Sequence, residues 1–215
     1  MMKSKIIYIY DPLCGWCYGF SPVIRKIQEE YKDKMDFDII SGGMIVGDRV
    51  GPVGAFADYI LKALPRLEEM TGVKFGEPYL SKLKDKSLYQ SSLKPCIALE
   101  VFKSYNQKDA IAFASAIQKA QYIDGHDLQD DSVYLELLKP YAIATEEFLQ
   151  KLNSDEFKYE TTNQFKMIQD WGISGFPAVI LVKDNQFYLI AKGYVDYENL
   201  SKVIEKILIE KSTLS

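Results

Sequence analysis

Two cysteines three positions apart, Cys14 and Cys17, lie between a short apolar run and a helical pattern. The run Ile6–Tyr10 predicts a buried strand, and apolar residues at three- and four-residue spacing from about Cys17 to Tyr31 predict a helix. Backbone N–H groups and the helix dipole stabilise a thiolate at a helix start. Because three positions make nearly one turn, the Cys17 sulfur can reach that of Cys14. The spacing predicts a redox pair in which Cys14 attacks and Cys17 resolves the mixed disulfide.

A zinc site and plain burial are the alternatives for this pair. Zinc would need Cys14, Cys17, Cys96 and the single histidine, His126, and the last two are isolated in the sequence. An iron–sulfur cluster would lack a fourth cysteine. Burial is the favoured interpretation of Cys96, which lies in the apolar segment PCIALEVF. Burial gives no reason for C-G-W-C at a strand-to-helix junction, so we expect no metal site.

The predicted elements run β-α-β, then a helical block, then β-β-α. The segment MDFDII, residues 35–40, predicts the second strand. The glycine-rich segment Ser41–Gly54 follows as a predicted boundary and carries no phosphate-binding motif. After the block, Ala178–Val182 and Gln186–Ala191 predict antiparallel strands around a polar turn. A final helix with one apolar face follows a cap at Asp196.

The block, residues 56–171, is predicted to be helical almost throughout. Its first helix is predicted over Ala55–Leu64, and Pro65 is expected to break or kink it. Ser91 or Ser92 is predicted to cap a later helix. The block therefore reads as an insertion between the two strand-containing halves.

Without the block, the order of elements is that of a thioredoxin fold. We therefore predict an α/β protein, a thioredoxin fold with a large inserted all-helical domain. The predicted boundaries place residues 1–50 and 172–215 in the thioredoxin-like domain and residues 51–171 in the insertion.

The motif Gly175-Phe176-Pro177 stands directly before the strand AVILV. In a thioredoxin fold the proline at this place is cis and lies opposite the cysteine pair, and cis bonds are essentially confined to proline. We expect a cis bond before Pro177, which would turn the Phe176 backbone toward Cys14 for pairing with an extended substrate. An ordinary trans proline at a strand start is the alternative.

Five stretches together resemble a known family: YDPLCGWCYG, SGGM, TGVKFGEPY, QKAQYIDGHDL and GFPA. They run through nearly the whole chain, and DPLCGWCY and GFP are the specific ones. The sequence resembles the DsbA family of thioredoxin-like proteins, and more closely its cytosolic bacterial branch of predicted protein-disulfide isomerases.

The resemblance implies a thioredoxin fold with an inserted helical domain and no tightly bound cofactor. It also implies that Cys14 attacks, Cys17 resolves and Pro177 is the cis proline. Strongly oxidising members of the family carry a histidine just before the second cysteine, where this chain has Trp16. We therefore expect a less oxidising pair.

The residues beside the pair are interpreted as turn and substrate contacts. Asp11 and Pro12 are predicted to form the turn that aims Cys14, with proton transfer by Asp11 as the alternative. Four residues are predicted to bind substrate: Pro12, Gly15, Trp16 and Phe176.

Charge and cysteine count limit the kinds of partner. The 26 basic and 30 acidic residues are interleaved and give a net charge of −4, which does not favour nucleic-acid binding. The opening MMKSKIIYIYD has too short an apolar run for a signal peptide, and no run is long enough to span a membrane. Three cysteines, an odd and low number, fit a reducing compartment. We predict a cytoplasmic protein without membrane partners; a processed secreted form is the alternative.

The predicted function is that of a thiol–disulfide oxidoreductase, a reductase or disulfide isomerase. Its expected substrates are disulfide- or thiol-containing proteins or small molecules, and its expected reductant is a thioredoxin or glutathione system. One alternative is a glutathione-dependent transferase or isomerase, although such relatives usually carry serine for the first cysteine. The other is a non-enzymatic protein adaptor, since a fold does not fix a function.

Overall fold

The computed structural model describes residues 3–54 and 56–209. Its strands are β1 (Ser4–Tyr10), β2 (Met35–Ser41), β3 (Gly51–Pro52), β4 (Tyr89–Gln90), β5 (Ala178–Lys183) and β6 (Gln186–Lys192). Its helices are α1 (Gly15–Tyr31), α2 (Phe56–Thr71), α3 (Glu77–Lys84), α4 (Leu93–Tyr105), α5 (Ala110–Tyr122), α6 (Asp131–Leu138), α7 (Thr145–Leu152), α8 (Asp155–Asp170) and α9 (Tyr197–Ile209). None of these helices combines the length and the apolar content that crossing a membrane requires.

Four strands form one mixed sheet in the order β2-β1-β5-β6. Strand β1 runs parallel to β2 and antiparallel to β5, and β5 and β6 form an antiparallel pair. Because β1 is central and covered on both faces, its sequence IIYIY is a continuous apolar run rather than an alternating one. The sheet and its flanking helices confirm the predicted thioredoxin fold with a helical insertion.

Alternate residues of β1 point to different helices. Ile7 and Ile9 pack with Ile168 of α8 on one face. On the other face the ring of Tyr8 meets that of Phe20 of α1, with centroids 5.6 Å apart. The same face continues into α9 through buried leucine and isoleucine side chains. The period of two along β1 thus gives each face of the sheet its own helical cover.

The insertion builds its own packing and also extends the main core. Helices α2 and α3 enclose a small cluster with Leu67, Tyr79 and Leu83 at its centre. Buried residues of α4 to α7 belong to the same continuous cluster as those of β1 and α1. Helix α8 lies on the sheet itself, and the predicted boundaries at residues 50 and 171 stay a prediction.

The insertion is not wholly helical, and this corrects one detail of the prediction. Gly51–Pro52 and Tyr89–Gln90 form a two-residue antiparallel ladder, which is too short to give a periodic pattern in a sequence. Pro65 also fails to end its helix, since α2 continues to Thr71. The buried Leu64 and Leu67 flank Pro65, so packing outweighs the roughly 3 kcal/mol that an internal proline costs. The predicted start of this helix, Ala55, lies outside the described residues.

Candidate active site

The turn after β1 is built around Asp11. Its carboxylate Oδ1 accepts a hydrogen bond from the Leu13 N–H at 2.9 Å, and its carbonyl oxygen accepts from the Cys14 N–H at 3.1 Å. These two bonds place Cys14 as the N-cap of α1, whose first residue, Gly15, lies two positions before the predicted helix start near Cys17. The interpretation of Asp11 as the residue that aims Cys14 is confirmed.

The two thiols of the pair differ in access. Cys14 Sγ accepts a hydrogen bond from the Cys17 N–H at 3.3 Å, as an N-cap side chain does. Cys14 retains 6% of its exposure and Cys17 none. Burial raises the pKa of the Cys17 thiol well above its usual value, and the neighbouring Cys14 adds to this rise. Of the two residues, Cys14 is therefore the less deeply buried.

The loop before β5 lies opposite the pair. The Phe176–Pro177 peptide bond is cis, as predicted. The Cys14 thiol donates to the Phe176 carbonyl oxygen at 3.6 Å across 162 positions of sequence. The Gly193 N–H donates to the Pro177 carbonyl oxygen at 2.8 Å and holds the loop from its other side. The structure thus brings Cys14, Phe176 and Pro177 together.

Two glycines that the sequence showed only as part of SGGM make room for this arrangement. A Cβ on Gly42 would lie 2.0 Å from Cζ of the Phe176 ring. Gly43 has a φ of +66°, and a Cβ there would meet the Phe165 ring at 2.6 Å. The Gly42 N–H continues the sheet by donating to the Tyr10 carbonyl oxygen at 2.7 Å.

Three of the four predicted substrate contacts are partly exposed. Gly15, Trp16 and Phe176 are half-buried, and Pro12 is buried. The four substrate contacts stay a prediction. Tyr194, which the sequence did not single out, lies beside Trp16 with ring centroids 6.4 Å apart.

Asp11 is also an unusual ionisable group of the site. It is fully buried, and its carboxylate accepts further hydrogen bonds from the Met44 N–H at 2.7 Å and the Ser92 hydroxyl at 2.9 Å. Burial raises the pKa of Asp11 to about 6, against the lowering effect of its three hydrogen bonds and of Arg49. Sequence reasoning found Asp11 but had no signal for Ser92 as its partner.

The remaining candidate zinc ligands serve other parts of the fold. Cys96 is buried in α4, where burial raises the pKa of its thiol. His126 is exposed beside Lys82 and Tyr89. Within residues 3–54 and 56–209, His, Cys, Asp and Glu nowhere gather in threes with a geometry for a metal ion.

Two of the motifs contact each other beside the first turn of α1: TGVKFGEPY and QKAQYIDGHDL. The Gly76 N–H donates to the Tyr122 carbonyl oxygen at 2.8 Å. Tyr18, next to Cys17, stacks on Tyr122 with centroids 4.9 Å apart, and its hydroxyl donates to the Lys74 carbonyl oxygen at 2.9 Å. These motifs fasten the insertion to the helix that carries the pair.

The sheet topology, the cysteine pair at a helix start and the opposed cis proline together define a DsbA-like protein of the thiol–disulfide oxidoreductase class. A family model described as thioredoxin matches residues 7–202. The chain therefore belongs to this thioredoxin family.

Solved structures show the same relationship. One is a proposed protein disulfide isomerase from Nitrosomonas europaea, with a TM-score of 0.85 and 28% identity over 96% of this chain and 98% of that chain. Another is the cytosolic disulfide reductase DsbM from Pseudomonas aeruginosa, with a TM-score of 0.79 and 26% identity over 95% and 98%. DsbM has also been solved with GSH.

A curated relative has a different described role. The ClpXP adapter protein SpxH of Halalkalibacterium halodurans is 18% identical over 211 residues, which are 96% of this chain and 69% of that protein.

Proposed function

We propose that this chain is a cytoplasmic thiol–disulfide reductase in which Cys14 attacks and Cys17 resolves. The observation that carries the proposal is the asymmetry of the two thiols. Cys14 caps the helix, keeps some exposure and faces the Phe176 carbonyl oxygen, while Cys17 is fully buried three positions later. One thiol is therefore placed for a first encounter and the other for an internal second step.

The proposed reaction proceeds in two exchanges. The Cys14 thiolate attacks one sulfur of a substrate disulfide, and the other sulfur leaves as a thiol after taking a proton. Cys17, deprotonated, then attacks the Cys14 sulfur, which releases the second substrate thiol and leaves a Cys14–Cys17 disulfide. An extended substrate chain would lie along residues 175–176, with Trp16 and Tyr194 as apolar contacts beside it.

Glutathione is the proposed reductant that regenerates the pair. Two glutathione thiols reduce the Cys14–Cys17 disulfide and become oxidised glutathione, so electrons and protons balance. The similarity to DsbM, described as a cytosolic disulfide reductase and solved with GSH, supports this choice, the cytoplasmic location and reduction over isomerisation.

The reduction potential of the pair tests the proposal. Wild-type protein is equilibrated in glutathione buffers and the free thiols are alkylated and counted by mass. We expect one reversible two-electron transition that Cys14→Ser abolishes and Cys96→Ser, the matched control, leaves in place. Cys17→Ser should accumulate a mixed disulfide with glutathione.

The midpoint potential of this transition then distinguishes a reductase from an isomerase. A value near that of thioredoxin, about −270 mV, supports a reductase, and one near about −180 mV indicates an isomerase instead. Absence of any transition would contradict the proposal. If Cys17→Ser still catalyses glutathione conjugation over many turnovers, the protein would be a transferase.

A protein adaptor is the second candidate, favoured by the similarity to SpxH. An adaptor would use the surface of the fold and not the thiols. A strain lacking the gene is complemented with wild type or with a Cys14→Ser, Cys17→Ser double variant. Equal complementation by both would support the adaptor, and failure of the double variant alone would support the reductase.

A further inference from the structure

The two edges of the main sheet differ in how they are protected. At the edge strand β2, Lys103 donates to the Ile39 carbonyl oxygen at 3.0 Å. Gln164 accepts from the Ser41 N–H of the same strand at 3.5 Å. At the opposite edge, β6 pairs with β5, and no strand in the described part of the chain lies beyond it. Charges and prolines usually protect a sheet edge, and the segment QFYLIA of β6 has neither.

Two large apolar side chains of β6 project into solvent. Phe187 is 65% exposed and Leu189 54%, while the intervening Tyr188 packs against the main core. Because side chains alternate along a strand, Phe187 and Leu189 lie on the same face of the sheet. Phe187 pairs with Val182 of β5, which packs with Ile168 of α8. Helix α8 therefore covers the middle of this face and leaves its margin at β6 exposed.

The turn before β6 fixes which of its backbone groups point outward. The two-residue turn 184–185 has φ values of 51° and 61°, as in the type I′ turn of hairpins. The residues on either side of such a turn, Lys183 and Gln186, form a hydrogen-bonded pair, and bonded positions alternate along the strand. The N–H and C=O groups of Phe187 and Leu189 therefore point away from β5.

These backbone groups fit a second copy of β6 in one antiparallel register. Phe187 of each copy would lie opposite Leu189 of the other, around a two-fold axis at Tyr188, and both pairs would be hydrogen-bonded. The four apolar side chains would then meet on one face. Lys192 of each copy would lie beside the turn that carries Asp184 of the other.

Charge is complementary in this register as well as apolar surface. Both Lys192 and Asp184 are exposed, and neither forms an ion pair within the described part of the chain. Two opposite charges at the two ends of one strand suit an antiparallel copy of the same strand, because each end then meets the other. This symmetry favours a second copy over an unrelated peptide.

We propose that the open edge of β6 pairs antiparallel with β6 of a second copy, so that a homodimer joins the two four-stranded sheets. The inference does not depend on the proposed redox function, because neither cysteine of the pair takes part. One strand and its two apolar side chains make a smaller surface than the roughly 1,200–2,000 Å² of stable interfaces. The dimer is therefore weak and reversible.

Sedimentation velocity of the full-length, reduced protein tests the pairing over about 5–500 µM. We expect wild type to pass from monomer to dimer with a dissociation constant on the order of 50 µM. Leu189→Lys, at an exposed position, should raise this constant at least about tenfold, because it places a charge in the apolar contact. Lys62→Glu, at an exposed lysine of α2, is the control for a changed charge and should leave the constant unchanged.

Charge reversal tests the register. Lys192→Glu places a like charge beside Asp184 of the second copy, and Asp184→Lys does so beside Lys192. Each variant alone should therefore dimerise about tenfold more weakly than wild type. A mixture of the two variants restores both opposite pairs in the heterodimer, so its dissociation constant should return to within about threefold of the wild-type value.

Hydrogen exchange tests the backbone pairing. The N–H groups of Phe187 and Leu189 should exchange at least about threefold more slowly at about 500 µM than at 5 µM, because they are bonded only in the dimer. The N–H groups of β2 are the internal control and should exchange at the same rate at both concentrations.

Several results would overturn the inference. They are a wild type that stays monomeric up to about 500 µM, or a dimer that Leu189→Lys leaves unchanged, which would lie on another surface. A mixture that dimerises no better than its two components would overturn the register. If Asp184→Lys does not fold, Leu189→Lys and the exchange rates decide. A monomer whose β6 N–H groups are protected only by an added extended peptide would indicate a peptide-binding edge instead.

Discussion

The Phe176 ring occupies the space that a Cβ on Gly42 would need, with Cζ only 2.0 Å from the ideal Cβ position. Gly42 is therefore required by close approach, not by a left-handed backbone. Because the Phe176 carbonyl oxygen is the acceptor for the Cys14 thiol, the fit of ring to glycine also sets how closely the loop approaches the pair.

Gly42→Ala should displace the Phe176 ring and the loop with it. We expect disulfide reductase activity to fall at least about tenfold and the free energy of unfolding to fall by about 1–3 kcal/mol, as for overpacked cores. Activity on a model disulfide and urea denaturation measure the two effects. Gly175→Ala, in the same loop with nothing within 4 Å of an added Cβ, is the control for stability, and its free energy of unfolding should be close to that of wild type. Wild-type behaviour of Gly42→Ala would show that the ring relocates freely.

Asp11 should make the protein less stable as the pH rises from 4 to 7. Its pKa is raised to about 6 in the folded protein, so the folded state holds this proton more tightly than the unfolded chain does. The stabilising contribution is complete below the ordinary pKa near 4 and is lost as the pH passes 6. A rise of about two units corresponds to about 3 kcal/mol.

The measurement compares wild type with Asp11→Asn by urea denaturation at pH 4, 5.5 and 7 with the thiols reduced. The variant has no ionisable side chain at position 11. Its free energy of unfolding relative to that of wild type should therefore increase from pH 4 to pH 7. A constant difference between the two proteins would contradict the prediction.

Asp38 should show the opposite pH dependence. Burial raises its pKa, but Lys103, Lys5 and Gln107 outweigh burial and hold the pKa below its usual value. The stabilising contribution is therefore present above the ordinary pKa near 4 and is lost as the pH falls through the lower folded value. Asp38→Asn should cost about 1–2 kcal/mol at pH 7 and little at pH 2.5.

Asp36 offers the matched control for Asp38. It lies two positions earlier on β2 and forms an exposed ion pair with Lys3 at 3.2 Å. Asp36→Asn should change the free energy of unfolding by less than about 0.5 kcal/mol at either pH, because exposed pairs contribute little. Equal losses in both variants would contradict the role assigned to the half-buried Asp38 and its contacts with Lys5 and Lys103.

The three thiols should react in a fixed order. Cys14 keeps 6% exposure, whereas Cys17 and Cys96 have none and the pKa of each is raised by burial. Iodoacetamide should label Cys14 in the folded, reduced protein at least about tenfold faster than the other two, which react only after local opening. Peptide mass mapping over time gives the order in which the three cysteines are labelled. In urea all three should be labelled at similar rates. Fast labelling of Cys96 would contradict the burial shown here.

Local sequence patterns predicted the strands and helices of the thioredoxin fold well. Contacts between side chains that are distant in sequence could not be predicted. The four strands of the main sheet were predicted to within two residues at their ends, because IIYIY and AVILV are continuous apolar runs between turn signals. Ser91 or Ser92 was predicted to cap a helix because sequence gives only local context; Ser92 is the N-cap of α4, but the partner of its hydroxyl, Asp11, lies 81 positions away. Pro65 was predicted to break or kink its helix; α2 continues past it, because the packing of the neighbouring leucines is not visible in a sequence.

The contact between Cys14 and Phe176 spans 162 positions, and β1 pairs with β5 across a similar interval. During synthesis the ribosome must therefore release most of the chain before the cysteine pair acquires its loop and its strand neighbour. Contacts so distant in sequence form late in folding. For most of its translation the nascent protein thus exposes its thiols to solvent. The cysteine pair becomes buried only when the Phe176 loop and the last two strands, β5 and β6, have emerged.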